Sequence, residues 1–279
     1  VWQTSNFDPE LQAKYPNIRA YKGSGVTDRN ASLYLSFSAV GIQTMILRGD
    51  SGSEFIEPLR EDKKVYVVFD SKKRAKGSLP FDCKTEDVTL NSQLLRETAK
   101  TSASNKVLKT LRLALSCTGE YAAYHGGTVE GALVAMNATM TRINGVFSRD
   151  LAVQLNIIAN NNLIIFTDAS TDPYSDASLG VDGNWNTELQ ATLTNVIKDS
   201  GYDIGHLFGA TGGGGNAGCV GCVCVKSTAA EPNGKGSAFT SPSDSKPEGA
   251  TFDIDFVAHE MGHQLGANHT FSHATENNG

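Results

Sequence analysis

Residues 32–38 (SLYLSFS) and 64–69 (KVYVVF) alternate apolar and polar side chains, the two-residue period of half-buried strands. Gly, Asn, Asp and Pro punctuate the intervals between such runs, so the first hundred residues read as β-rich. From about residue 109 the pattern changes to strand, helix, strand. LRLALSC occupies 111–117, a helix is predicted over 128–149 with Val129, Leu133, Met136, Met140 and Ile143 at helical spacing, and VQLNIIA follows at 153–159. A short strand NLIIF (162–166), a helix over about 186–199 and a buried strand DIGHLFGA (203–210) come next. A Gly-rich turn (212–215) leads to NAGCVGCVCV, GSAFTS (236–241) adds a strand, and a helix is predicted over about 253–265. The stretch 97–109 (ETAKTSASNKVLK) is small, polar and lysine-bearing, the composition of an exposed connection. The predicted fold class is α+β to α/β, with a β-rich domain and its connection over 1–100 and an α/β domain over 101–279.

Composition narrows what such a chain does. Its 279 residues suffice for one or two full cores. With 39% apolar residues, 19% charged residues and a mean hydropathy of -0.25 it reads as globular, and no apolar run approaches the ~20 residues of a membrane span. The net charge of -6 divides unevenly, as 15 basic and 13 acidic residues in 1–100 against 9 and 17 in the remainder. Opposite signs favour docking of the first part on the second, and the acidic balance argues against a nucleic-acid partner. The first residue is Val, which fits the processed amino terminus of an exported, secreted protein and fits an artificially shortened chain equally well. Five cysteines stand at Cys83, Cys117, Cys219, Cys222 and Cys224; an odd number leaves at least one unpaired, and the solitary Cys83 is the natural one.

The chemistry concentrates in AHEMGHQLGANH, residues 258–269. A spacing of four puts His259 and His263 on one helix face, about a turn apart, within reach of a single ion. Glu260, beside the first of them, suits a general base that takes a proton from water without ligating the metal. Gly266 can adopt the left-handed conformation that ends a helix and turns the chain, which swings His269 back as a third nitrogen ligand. Three neutral nitrogens with one open position describe catalytic rather than structural zinc. Five fixed residues at these spacings arise by chance in roughly one such chain in 10⁵, far less often than HExxH alone.

At these residues the chain resembles the metzincin clan of zinc peptidases. DIGHLFGA, GNAGCVGCVC and the following helix resemble its reprolysin-like (adamalysin-type) branch, in particular the bacterial members. The resemblance spans roughly 109–273. It implies a secreted zinc endopeptidase with a twisted mixed five-stranded sheet, two long helices and an active-site helix. It also implies an antiparallel edge strand at about 216–224, with Ala217, Gly218, Cys219 and Val220 binding extended protein or peptide substrate by β-augmentation. Zinc would polarise the scissile carbonyl while Glu260 carries the proton to the leaving amine. The methionine-containing turn of the clan lies downstream of the third histidine, only ten residues remain after His269, and Met261 is inside the helix; the lower subdomain is therefore expected to be absent from this chain.

Cys83, in SLPFDCKT, precedes the connection, and a thiolate is a good fourth zinc ligand. In related zymogens a pro-segment cysteine closes the open position. Position and parity make Cys83 that latch and 1–100 an inhibitory pro-domain, although its neighbours do not reproduce a stringent family motif. An activating protease would cut at Lys72, Lys73 and Arg74 or, removing Cys83, near Lys100 and Lys106. Cys219 and Cys222 read as disulfide-bonded near the edge strand rather than as a redox motif. Asp182, Asn184 and Asn186 alternate oxygens somewhat as calcium loops do, with helix capping by Asn186 the simpler reading. His206 reads as a satisfied core histidine, and His273 as a weaker competitor of His269. Two rivals remain: a non-catalytic zinc-stabilised binding module or degenerate fragment, and a thermolysin-like site with Glu276 as third ligand.

Overall fold

The computed structural model describes residues 1–38, 41–49, 51–59, 62, 64–73, 81–88 and 107–269. The predicted connection near 97–109, the candidate cleavage residues Arg74, Lys100 and Lys106, and His273 and Glu276 fall wholly or mostly outside them.

The alternating runs at the start of the chain become one antiparallel meander. Strands β1 (Trp2–Thr4), β2 (Arg19–Ser24), β3 (Ser32–Ser38), β4 (Gly41–Leu47), β5 (Glu54–Pro58) and β6 (Tyr66–Asp70) pair in sequence order, and helix α1 (Pro9–Lys14) lies between the first two. The second sheet has the order β7-β11-β12-β10-β8-β9. Its central strands β8 (Lys109–Cys117), β10 (Ile204–Phe208) and β12 (Ala238–Ser241) are parallel, as is the flanking β9 (Val153–Ile157). Leu113 to Cys117 and all of β10 are buried, because a central parallel strand is covered on both faces and so reads as a continuous apolar run. Strand β11 (Gly214–Asn216) is antiparallel to β12, and β7 (Asp82–Cys83) lies parallel along its outer side. A strand from before the predicted domain boundary thus completes the sheet of the later half.

Helices α2 (Gly119–Tyr124) and α3 (Val129–Asp150) follow β8, and the Thr128 hydroxyl caps α3 by accepting from the Gly131 N–H at 3.0 Å. The apolar stripe of α3 packs into a core with Leu113, Leu115, Phe252, Val257 and Met261. Phe7, Leu11 and Ile18 from the chain's start enter the same core. The other face of α3 is covered by the first sheet, and it is polar: Asn137, Thr139, Thr141, Arg142 and Asn144 are all buried there. Asn6 bonds Asn137, Thr141 and Asn144, so those groups find partners across the contact.

Helix α4 (Trp185–Val196) packs on the opposite face of the sheet. Asn186 does not cap it. Asn184 occupies the cap position, and the Asn186 amide donates instead to the Asn216 and Ser237 carbonyls. The strand expected at 162–166 is a turn of 3-10 helix, Asn161–Ile164. Asn161 explains it: its side chain bonds both the N–H and the C=O of Leu115, taking the place of a strand ladder. Last comes a π-helical stretch, Thr251–Val257, continuous with α5 (Ala258–Gln264).

Candidate metal centre

Helix α5 sets His259 and His263 one turn apart, their ring centroids 4.6 Å from each other. Gly266 ends the helix at φ +106°, a conformation that favours glycine, and its N–H bonds the His263 carbonyl at 2.9 Å. The chain then returns, so that the His269 ring lies 4.4 Å from that of His263 and 5.4 Å from that of His259. Cys83 Sγ stands 3.7 Å from His263 Nε2, and one donor atom from each of Cys83, His259, His263 and His269 lies within 4.8 Å of the others.

Hydrogen bonds fix which nitrogens face that point. His263 Nδ1 lies 2.6 Å from the Ala267 carbonyl and His269 Nδ1 lies 3.1 Å from the Asp87 carboxylate. Both partners only accept, so both Nδ1 atoms are the donors, which leaves both Nε2 atoms for the other contacts of the site. The His259 Nε2 lies 3.1 Å from that of His263. Lone pairs and a thiol converging at such distances call for a cation between them, and three nitrogens with one sulfur suit zinc. Burial holds His259 down to about 4, helped by the neighbouring imidazoles, and also lowers His263; neutral rings are the form that ligates.

Glu260 is fully buried on the same helix. Its Oε2 accepts from the Thr85 hydroxyl at 2.9 Å, while Oε1 has no hydrogen-bond partner among the described residues. Burial pushes this carboxyl up to about 7, although Thr85 and Cys83 hydrogen bonds pull the other way. Burial, then the nearby Glu260 charge, pushes the Cys83 thiol up to about 12 while no cation is present; a coordinated metal reverses that direction. Gly215 makes the approach of Glu260 sterically possible, since a Cβ there would stand 2.5 Å from Glu260 Cγ.

Segment 81–88 holds far more of the site than its cysteine. The Phe81 ring stacks on Phe256 at 4.3 Å and meets His259 edge-on at 6.1 Å. Thr85 also accepts from the Ala217 N–H at 2.8 Å, and Asp87 accepts from the His269 N–H at 2.8 Å. Sequence reading singled out Cys83 and passed over Thr85, Asp87 and Gly215. None belongs to a motif, and only their closeness to Cys83 or to the glycine run hinted at them.

The expected edge strand needs correction. Ala217, Gly218, Cys219 and Val220 form no strand; the strand is Gly214–Asn216, just before them. Gly218 and Gly221 take φ +66° and +72°, and a Cys219–Cys222 disulfide closes the loop, so the chain curls where it was expected to extend. Cys117 is a buried free thiol and Cys224 an exposed one, so only one of the anticipated pairs forms among the described cysteines. Asp182 faces Lys84 at 3.8 Å, and the Asn186 amide is engaged with a backbone carbonyl. His206 is the expected core histidine, bonded to Gln264 and Thr240 at 2.8 and 2.9 Å.

A family model described as metallopeptidase family M12B, reprolysin-like, matches residues 107–278, more than half of the chain. The chain belongs to this family. A search of curated proteins returned no match. As a reprolysin-like metallopeptidase the protein is a zinc-dependent hydrolase of peptide bonds, with proteins or peptides as substrates. The reprolysin-like match takes in β8 through α5 with all three histidines and Glu260, and it begins after Cys83, Thr85 and Asp87. No helix among the described residues is long and apolar enough to cross a membrane.

Proposed function

We propose that the chain is a secreted zinc endopeptidase in its latent form, with His259, His263 and His269 as metal ligands and Cys83 as the fourth. The observation that carries the reading is the convergence of those three ring nitrogens with the Cys83 sulfur, all within 4.8 Å of one another. Zinc held there supplies Lewis acidity toward a carbonyl oxygen or water. Glu260, raised toward neutrality by burial, takes the proton from attacking water and delivers it to the leaving amine. Its partnerless Oε1 suits a group whose second contact is a reactant. An extended substrate would replace β7 on the outer side of β11 and bind through backbone hydrogen bonds.

Residues up to about 100 act here as an inhibitory pro-domain. An activating protease that cuts near Lys100 or Lys106 would separate Cys83 from the site. The Cys219–Cys222 disulfide supports an oxidising, extracellular setting.

The test is zinc analysis together with peptide cleavage by the full chain before and after limited proteolysis. Glu260→Ala is expected to keep its zinc and lose turnover by at least ~10²-fold. Cys83→Ala is expected to cleave peptide without prior proteolysis. Equal zinc content with no cleavage by any form, processed wild type included, would favour the rival reading of a non-catalytic zinc-stabilised module.

A further inference from the structure

We infer that latency in this chain has a second lock containing no metal donor, the Thr85 hydroxyl bridging the Ala217 N–H and the Glu260 carboxylate. The inference rests on the proposed peptidase reading only for its effect on cleavage. Thr85 is buried, and its hydroxyl is engaged both as acceptor and as donor: it accepts from the Ala217 N–H at 2.8 Å and donates its one proton to Glu260 Oε2 at 2.9 Å. It therefore ties the Glu260 carboxylate, through Oε2, to segment 81–88 and seats that segment on the base. Cys83 takes a position among the imidazoles; Thr85, two residues on, takes the base.

The rest of segment 81–88 is seated by contacts that also need no ion. The Asp82 N–H donates to the Gly213 carbonyl at 3.0 Å and the Lys84 N–H to the Gly215 carbonyl at 2.9 Å. The Val88 N–H donates to Asn268 Oδ1 at 3.2 Å, and Asn268 Nδ2 returns a bond to the Val88 carbonyl at 2.7 Å. Phe81 adds its stack on Phe256. Losing the sulfur removes none of these contacts, and Thr85 stays on Glu260.

Hydrogen exchange followed amide by amide, on the full chain, tests the lock apart from catalysis. In chelator-treated Cys83→Ala, the Ala217, Lys84 and Val88 amides are expected to stay as protected as in the zinc-loaded wild type. Thr85→Val should speed exchange at Ala217 by roughly tenfold or more, the loss of one hydrogen bond with a charged partner behind it. Thr85→Ser should restore protection, and unchanged β10 amides would show that the fold is intact. With zinc present, Cys83→Ala should cleave peptide more slowly than the processed chain, and adding Thr85→Val should bring it to the processed rate. Solvent-like exchange at Ala217 and Lys84 in chelated Cys83→Ala, or unchanged exchange in Thr85→Val, would overturn the lock. If the exchange pattern holds but no zinc-loaded form cleaves, the lock stands and the peptidase reading falls.

Discussion

Two clusters of ionisable groups are wholly or partly buried in this molecule, and they differ in how far their partners are met. In the first, Arg142 on α3 bonds Asp253 at 2.8 Å, Glu57 at 3.1 Å and the Thr44 carbonyl at 3.3 Å, with Thr139 completing Asp253 at 2.7 Å. Among the described residues of this cluster, the Arg142 Nε and the Thr44 hydroxyl lack a partner. The second cluster gathers three imidazoles, a thiol and Glu260, with lone pairs facing one another and the Glu260 Oε1 partnerless. Burial of charge costs free energy in both places, but the first offsets it internally and the second does so only with something added. A nearly closed set of partners marks scaffold, here the joint between the first sheet and α3; an open set marks a site.

Breaking the closed cluster should have the largest effect on stability. Arg142→Met leaves Asp253 buried and Glu57 partly buried without their cation, and we expect a loss of about 3–5 kcal/mol in urea unfolding. A loss under about 1 kcal/mol would mean that the joint is not held by these charges.

The open cluster should announce itself through pH. In metal-free protein Glu260 binds its proton more tightly folded, at about 7, than unfolded, at 4.5. Its contribution is therefore complete below pH 4.5 and is lost as pH rises to about 7. His259, held down to about 4, runs oppositely: it contributes above pH 6.5 and loses that as pH falls to about 4. Glu260→Gln isolates the first slope. Relative to this variant the chelated wild type should lose up to about 3 kcal/mol between pH 4.5 and 7, and parallel curves would contradict the burial cost assigned to Glu260.

A surface pair supplies the contrast. Arg112 and Asp203 meet at 2.7 Å, but the Arg112 side chain is 53% exposed. Arg112→Ala should cost about 1 kcal/mol or less, and should matter less still in high salt.

Much of the fold was legible. The apolar stripe of α3 was read nearly residue for residue, because one face of a helix must bury itself and the 3.6 period shows which. The turn after α5 was legible too, since Gly266 and the histidine spacing leave the backbone little choice. What went unread was decided at a distance. Nothing local distinguishes Asn161 from a loop residue, yet its two bonds to Leu115 turn an apolar NLIIF into a 3-10 turn. The curl at 217–222 has a local cause instead: Gly218 and Gly221 at positive φ, with the Cys219–Cys222 bond between them, bend a stretch that the resemblance read as extended.

The division follows from the range of the forces involved. Helix periodicity, a glycine's conformational freedom and the reach of an imidazole are properties of a few neighbouring residues, so sequence alone determined the helix, its end and the three histidines. Closeness between residues 175 to 182 positions apart depends on β7 joining the second sheet beside β11, and only the tertiary structure decided that Cys83, Thr85 and Asp87 would meet His263, Glu260 and His269. Whether a buried carboxylate is satisfied or left open is a property of its surroundings, which a chain carries only once it has folded.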